Sequence, residues 1–144
     1  MWQVLDGLFP GTNVDATDQR ALKENSITHL LNCAVELPNE VDLLQILRLD
    51  MKDPDERMSD WFEETIRFID EARPQGGGVL VYCQGAISRS PSIVLSYLCS
   101  AGMSLLEASK HLSTICPTRP NRTFLDQLAL HLETKNSINW TLHD

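Results

Sequence analysis

The chain is predicted to fold as an α/β domain, with a mostly parallel central sheet of about five strands flanked by helices. Short apolar stretches alternate with helical patterns along its 144 residues, without an internal repeat or a low-complexity linker. The stretch VLVYC at 79–83 is apolar on both faces, which is typical of a central strand in a parallel sheet. With 42% hydrophobic residues the chain can bury a sizeable core. We therefore expect residues 1–144 to form a single domain.

The elements are predicted from hydrophobic periodicity and composition. Four apolar stretches read as strands: 3–11, which ends in a turn at Pro10 and Gly11, 27–34, 44–51 and 79–83. Five stretches have helical character: 15–26, 59–73, 90–102, 104–112 and 123–132. Ser59 or Asp60 is expected to cap the second helix, and Ser104 with Glu107 forms a capping-box pattern.

Charge and cysteine usage limit the classes of partner. The net charge of −8 gives no overall attraction to nucleic acid or to acidic membranes. No apolar run approaches the 18 or so residues of a membrane span, so no membrane insertion is expected. The cysteines show no metal-ligand spacing, and we expect neither a metal nor another cofactor: Cys33, Cys83, Cys99 and Cys116. Cys99 and Cys116 are interpreted as small core residues of a reduced intracellular protein.

The stretch from Cys83 to Arg89 is the candidate site. Cys83 ends the predicted central strand, and Arg89 stands where the next helix begins, with Pro91 in its first turn. Short residues link the two: Gln84, Gly85, Ala86, Ile87 and Ser88. Backbone N–H groups of such a loop, together with the helix N-terminus, bind a phosphate-sized anion and favour a thiolate at Cys83. The Cys-x5-Arg spacing alone is weak evidence for a phosphate site. The predicted strand before it and the predicted helix after it make the evidence stronger.

Three separated stretches carry a resemblance to a known family. The stretch VLVYCQGAISRSPSIVLSYL at 79–98 resembles the signature of the protein tyrosine phosphatase superfamily, and SRSPS within it resembles the dual-specificity branch. Residues 4–34 resemble the opening strand, turn, helix and second strand of that family. RPNRTFLDQL at 119–128 resembles its R-P-N-x-x-F-x-x-Q-L segment. The chain is therefore similar, over nearly its whole length, to an atypical dual-specificity phosphatase.

The resemblance implies a two-step reaction through a cysteinyl-phosphate. Cys83 attacks the phosphorus, while Arg89 and the amides of the loop hold the phosphoryl oxygens. Ser90 matches the hydroxyl that helps the thiolate leave when water hydrolyses the intermediate. The substrates implied are proteins phosphorylated on tyrosine and on serine or threonine.

The general acid is expected where the stretch 49–53, LDMKD, ends. In the family an aspartate in an apolar-x-apolar-x-Asp pattern protonates the leaving group, and Asp53 fits this pattern. Counting back from the following helix without a gap puts Lys52 at the usual position. Asp53 is therefore favoured if this chain has a one-residue deletion relative to the family, and Asp55 and Asp50 are the alternatives. For each of these aspartates, a solvated loop carboxylate without a catalytic role is an equally supported interpretation.

Two residues depart from the family pattern. Tyr82 stands where the family has histidine, a residue that helps to hold the thiolate without touching the substrate. A phenol donates a hydrogen bond but carries no positive charge near neutral pH, so weaker support of the thiolate is expected. Ala86 replaces the usual glycine, with Gly85 one position early. If the turn needs a positive φ, the alanine costs about 1–2 kcal/mol; the alternative is a loop that re-registers around Gly85. An active but slow enzyme is the resulting hypothesis.

No catalytic role is assigned to the other residues that were considered. Asn121 of the R-P-N segment is taken as structural, and Arg122 as an exposed surface residue. Cys33, on the strand expected beside Cys83, is interpreted as a buried core thiol rather than a disulfide partner, although some relatives form such a bond. The histidines share no spacing with a carboxylate or cysteine, so none is assigned a role.

Two further functions stay open beside the protein phosphatase. A phosphate-binding pseudophosphatase would act as an interaction module, although Cys83 and Arg89 are both intact. A phosphoinositide or RNA 5′-phosphatase of the same fold is less favoured, because Gln84 to Ser88 contain no lysine and the chain is acidic. We expect a cytoplasmic or nuclear protein, and the sequence leaves its oligomeric state unknown.

Overall fold

Among the residues that the structure describes, four parallel strands form the central sheet. The computed structural model describes residues 1–34, 44–52, 57–84, 88–118, 120 and 122–143, with side chains up to residue 133. Within these residues the strand order is β1-β4-β2-β3, and every neighbouring pair is parallel. The strands are β1 Leu8–Thr12, β2 Ile27–Asn32, β3 Gln45–Arg48 and β4 Gly78–Cys83. The α/β class and the parallel sheet are confirmed, while the expected count of about five strands is corrected to four for the part of the chain described.

Strand β4 lies inside the sheet, between β1 and β2. All its residues are buried, which explains why it is apolar on both faces. Gly77, just before the strand, allows a close approach, since a Cβ there would lie 2.4 Å from Thr28 Oγ1 and 2.9 Å from the carbonyl of Ala72. The prediction of a central strand that ends at Cys83 is confirmed.

The first turn differs from the prediction. Pro10 and Gly11 lie within β1, paired with Val81 and Tyr82, and do not form a turn. A proline is tolerated there because β1 is an edge strand of the described sheet. The turn lies before β1, where the N–H of Leu8 donates to the carbonyl of Leu5 at 3.0 Å and Gly7 has a φ of 77°.

The helices follow the predicted order. Their bounds are α1 Gln19–Glu24, α2 Phe62–Ala72, α3 Arg89–Ser100, α4 Leu105–Ile115 and α5 Arg122–His143. Short 3-10 helices at Asp15–Thr17 and Met58–Trp61 precede α1 and α2. The helix expected over 15–26 is therefore interrupted, because the Asp18 carboxylate accepts the N–H of Ala21 and starts α1 there.

Two of the predicted helix starts have different outcomes. The capping box is confirmed: Glu107 N–H donates to Ser104 Oγ at 3.1 Å, and Ser104 N–H donates to Glu107 Oε1 at 3.3 Å. The cap expected from Ser59 or Asp60 is wrong, because both residues lie inside the 3-10 helix and α2 begins at Phe62.

Two layers of side chains cover the sheet. On one face, Leu80 and Tyr82 pack with Leu22 of α1 and with Leu30. On the other face a larger cluster joins alternate strand residues to α2, α3, α4 and α5, and it includes Val81, Cys83, Phe62, Ile93, Leu112 and Phe124. The carboxyl end of β4 therefore opens beside the amino end of α3, where ligand sites of such sheets lie.

Candidate active site

Cys83 lies at the end of β4, directly before the loop that leads to α3. Cys83 is only 1% exposed, so its sulfur lies below the protein surface. Gln84, next to it, is exposed, and Ser88, directly before α3, is buried. Gly85, Ala86 and Ile87 lie outside the described residues.

Ser90 brings two hydrogen-bonding groups to the sulfur. Its backbone N–H donates to Cys83 Sγ at 3.3 Å, and its hydroxyl oxygen lies 3.2 Å from the same atom. Ser90 is fully buried in the first turn of α3, so its geometry is held by the helix. Donors at a helix N-terminus stabilise negative charge on a sulfur. The thiol can also donate to the carbonyl of Gln84, at 3.7 Å.

Arg89 is the first residue of α3 and connects the site to the end of β3. Its Nη1 donates to the carbonyl of Met51 at 3.3 Å. Met51 is fully buried, three residues beyond the strand end at Arg48. A guanidinium has five N–H groups, so this bond does not prevent it from holding two phosphate oxygens. No local pattern in the sequence indicates this contact, because residues 51 and 89 are distant along the chain.

Of the candidate acids, the structure describes Asp50 alone. Its carboxylate is exposed and pairs with Lys52 Nζ at 2.9 Å on the solvent side of the chain. Asp53 and Asp55 lie outside the described residues. Leu49 and Met51 are buried between the exposed residues 50 and 52, so this stretch keeps the alternation of a strand.

Tyr82 faces away from the nucleophile. Successive side chains of a strand point to opposite faces, so Tyr82 packs on the α1 side with Leu30 and Leu80 while Cys83 faces α2 and α3. The phenol is fully buried. The alternation of side chains along a strand is the sequence pattern that indicates Tyr82 and Cys83 lie on opposite faces of the sheet. The effect of Tyr82 on Cys83 stays a prediction.

Cys33 lies beside Cys83 on the neighbouring strand. Its N–H donates to the carbonyl of Tyr82 at 2.8 Å, and its side chain belongs to the same apolar cluster as Cys83. Burial raises the pKa of the Cys33 thiol well above its usual value, the neighbouring Cys83 raises it further, and Arg89 lowers it. Both cysteines are free thiols, which agrees with the interpretation of Cys33 as a buried core residue.

The structure describes three of the other residues that were singled out from the sequence. Cys116 is buried, with a pKa raised to about 11 by burial, and Cys99 is half-buried. Arg122 is exposed and pairs with Asp126 at 3.3 Å, so its interpretation as a surface arginine is confirmed. Asn121 lies outside the described residues.

Two further buried or partly buried polar residues were not singled out from the sequence. Asn32 ends β2, is fully buried, and accepts the N–H of Ala34 at 2.8 Å through its side-chain oxygen. Gln127 of α5 accepts the N–H of Ser59 at 3.1 Å. A polar residue at the end of a buried strand was the available signal for Asn32. For Gln127 the signal was its place in the R-P-N segment.

A recessed cysteine beside the first turn of a helix that begins with arginine defines the cysteine-based phosphatase class. Comparison with known protein families identifies the branch of this class to which the chain belongs. The family described as "Dual specificity phosphatase, catalytic domain" matches residues 8–134. The chain therefore belongs to the dual-specificity phosphatase catalytic-domain family.

Individual relatives agree with this assignment. "Dual specificity protein phosphatase 1" of Arabidopsis thaliana is 38% identical over 127 residues, which cover 85% of this chain and 64% of that protein. The crystal structure of human DUSP28 has a TM-score of 0.87 at 25% identity, covering 95% of this chain and 99% of that chain. The crystal structure of human tyrosine phosphatase-like serine/threonine/tyrosine-interacting protein has a TM-score of 0.82 at 28% identity, covering 94% and 97%.

Two classes of feature are not found among the described residues. Within this part of the chain no helix has the length and apolarity to cross a membrane. No group of three or more histidine, cysteine or acidic side chains in the same part is arranged to hold a metal ion.

Proposed function

We propose that the chain is a protein phosphatase that hydrolyses phosphotyrosine and phosphoserine or phosphothreonine through a cysteinyl-phosphate. The observation that carries the proposal is the position of Cys83 Sγ, 3.3 Å from the N–H and 3.2 Å from the hydroxyl of Ser90, at the start of a helix whose first residue is Arg89. Membership of the dual-specificity family supports the same reaction.

The first step transfers the phosphoryl group to sulfur. The Cys83 thiolate forms a bond to phosphorus while the bond from phosphorus to the substrate oxygen breaks. Arg89 holds two phosphoryl oxygens, and Asp53 donates a proton to the oxygen that leaves. The loop amides between residues 84 and 88 hold the third oxygen. In an acidic protein these local donors supply the attraction for the dianion.

The second step returns the enzyme to its starting state. Water attacks the phosphorus, Asp53 takes up its proton, and the bond from sulfur to phosphorus breaks. The hydroxyl of Ser90 donates a hydrogen bond to the departing sulfur, which leaves as a thiolate. Inorganic phosphate is the product.

A turnover experiment tests the proposal. Wild type and Cys83→Ser are incubated with phosphotyrosine and phosphothreonine peptides, and released phosphate is measured. We expect the wild type to release phosphate from both, and Cys83→Ser to release none. An acid-quenched reaction of the wild type should contain a phosphorylated Cys83 peptide by mass spectrometry.

The opposite result supports a binding module. One similar solved structure is that of human tyrosine phosphatase-like serine/threonine/tyrosine-interacting protein, so the alternative has a structural relative. Tight phosphopeptide binding by the wild type without turnover would contradict the enzyme and favour a pseudophosphatase. Turnover of inositol phosphates or RNA 5′-phosphates in preference to peptides would favour the third function.

The cellular location is also a proposal. Cys33 and Cys83 are adjacent free thiols, and such pairs persist in reducing compartments. This supports a cytoplasmic or nuclear protein. Fractionation of cells that produce the tagged protein tests it, and recovery from the secreted medium with oxidised thiols would contradict it.

A further inference from the structure

Gln127 is a polar residue in an otherwise largely apolar part of α5. Phe124 and Leu128 on either side of it are buried, and His131, one turn further on, packs edge-on against Phe62 with ring centroids 5.0 Å apart. These residues dock α5 against the start of α2. A glutamine side chain within such a packed contact is expected to form a hydrogen bond.

The bond that Gln127 accepts comes from the 3-10 helix before α2. Its Oε1 accepts the N–H of Ser59, the second residue of that helix, at 3.1 Å. The first N–H groups of a helix have no partner within the helix and need an acceptor from elsewhere. Arg57 holds the N-cap position, and an arginine side chain has no acceptor atom. Gln127 therefore supplies the cap across 68 positions of the chain.

The capped turn follows the segment in which the candidate acid lies. Before that segment, the carbonyl of Met51 accepts a hydrogen bond from Arg89 at 3.3 Å. After it, Met58 is fully buried and the N–H of Ser59 donates to Gln127. Asp53 lies in sequence between these two attachments. One attachment is made to the catalytic arginine and the other to α5.

We infer that Gln127 is a positioning residue for the general acid: by capping the turn at Ser59 it sets where the chain returns from the acid-bearing segment. This inference rests on the proposed function and adds a residue that acts through the protein rather than on the substrate. Loss of the cap shifts the acid relative to the leaving group, so the proton transfer weakens while sulfur attack on phosphorus continues.

The dependence on the leaving group distinguishes this role from a structural one. A leaving group of low basicity, p-nitrophenolate, departs without a proton, whereas phenolate needs one. Gln127→Met keeps the side-chain length but removes the acceptor. We expect it to lower kcat/KM for phenyl phosphate about tenfold, and for p-nitrophenyl phosphate by less than about threefold.

Three matched variants complete the design. Gln127→Glu keeps an acceptor oxygen and should restore most of the kcat/KM for phenyl phosphate that Gln127→Met loses. Gln75→Met makes the same change at an exposed site at the opposite end of the sheet and should alter neither. In an Asp53→Asn background, Gln127→Met should cause no further selective loss for phenyl phosphate, because the group it positions is gone.

Two results would overturn the inference. One is an equal loss for both substrates in Gln127→Met, which describes a general structural role. The other, measured on the wild type and so independent of any variant's folding, is fast exchange of the Ser59 amide hydrogen, since the cap requires protection. Failure of the proposed function looks different, because the wild type would then turn over neither substrate.

Discussion

At the scale of single residues, Ser90 connects the nucleophile to α3. Its hydroxyl and its N–H both lie within hydrogen-bonding distance of Cys83 Sγ, and the residue is fully buried. Such a group interacts more strongly with a thiolate than with a sulfur bonded to phosphorus, because it donates to negative charge. Its contribution therefore belongs to the step in which the thiolate departs.

The Ser90→Ala variant tests this assignment. We expect the first, phosphoryl-transfer step to proceed and the second to slow by about tenfold to a hundredfold, the worth of a hydrogen bond to a charged group. Rapid-mixing kinetics should show a burst of phenol followed by slow turnover. Ser96→Ala, a buried serine on the same helix whose hydroxyl donates to the carbonyl of Ile93 at 2.7 Å, is the control. A slower burst in Ser90→Ala would contradict the assignment.

Tyr82 offers a second test at this scale. Its side chain is fully buried on the α1 face beside Leu30 and Leu80, so the smaller imidazole of Tyr82→His leaves space in the core. We expect Tyr82→His to raise kcat/KM, because a histidine at this position supports the thiolate in the family, and to lower Tm by about 2–4 °C per kcal/mol lost. Ala86→Gly tests the other departure, and no gain from either change would show that neither limits the enzyme.

At the scale of elements, three helix starts among the described residues are satisfied by three different devices. Asp18 caps α1 from its own N-cap position, Ser104 and Glu107 form a reciprocal box at α4, and Gln127 caps the turn before α2 from another helix. Local caps stabilise one helix. The distant cap joins two elements, and this is why we connect it with function and the capping box with stability.

Removal of the capping box should therefore change stability alone. Ser104→Ala removes the acceptor for the N–H of Glu107 and should lower the free energy of unfolding by about 1 kcal/mol. We expect kcat/KM to stay at the wild-type value, because α4 starts far along the chain from Cys83. Urea unfolding measures the first quantity and an aryl phosphate assay the second. Ser113→Ala, near the exposed end of the same helix, is the control, and an equal loss in both variants would contradict the role of the cap.

At the scale of the whole molecule, one apolar cluster joins the sheet to four helices. Its members extend from Val4 to Leu128, so the chain ends of the described core pack into the same interior. This supports the expectation that residues 1–144 unfold as one cooperative unit, which coincident transitions in circular dichroism and tryptophan fluorescence would test. Burial of cysteines in this cluster also couples stability to pH.

Stability should fall above pH 9. Burial raises the pKa of Cys33 and Cys116, the latter to about 11, from a usual value of 9.0. Between these values the unfolded chain has lost the proton that the folded chain still holds, so rising pH favours unfolding. The contribution of Cys116 is complete below pH 9 and is lost as pH rises towards 11.

Unfolding by urea at pH 7, 9, 10 and 11 measures this effect. Cys116→Ala should lower the free energy of unfolding at neutral pH through lost packing, and its decline from pH 9 to 11 should be shallower than in the wild type. Parallel curves for the two proteins would contradict the assignment to Cys116.

Much of the fold was accessible to local reasoning. Periodicity located the four strands and five helices of the described chain, and the capping-box pattern located the start of α4, because these depend on neighbours a few residues apart. The turn was misplaced since Pro10 reads as a breaker, whereas an edge strand tolerates it. The strand count and the cap of α2 also needed the structure.

The sequence by itself determined the class of the protein and the order of the parts of its site. The cysteine that ends an apolar strand and the arginine that starts the next helix lie six positions apart in the chain, so their chemistry is local. Only the tertiary structure decided the contacts between distant segments: Met51 with Arg89, and Gln127 with Ser59. These pairs are far apart in sequence, and their contacts follow from strand order and helix packing, which one chain's local patterns do not encode.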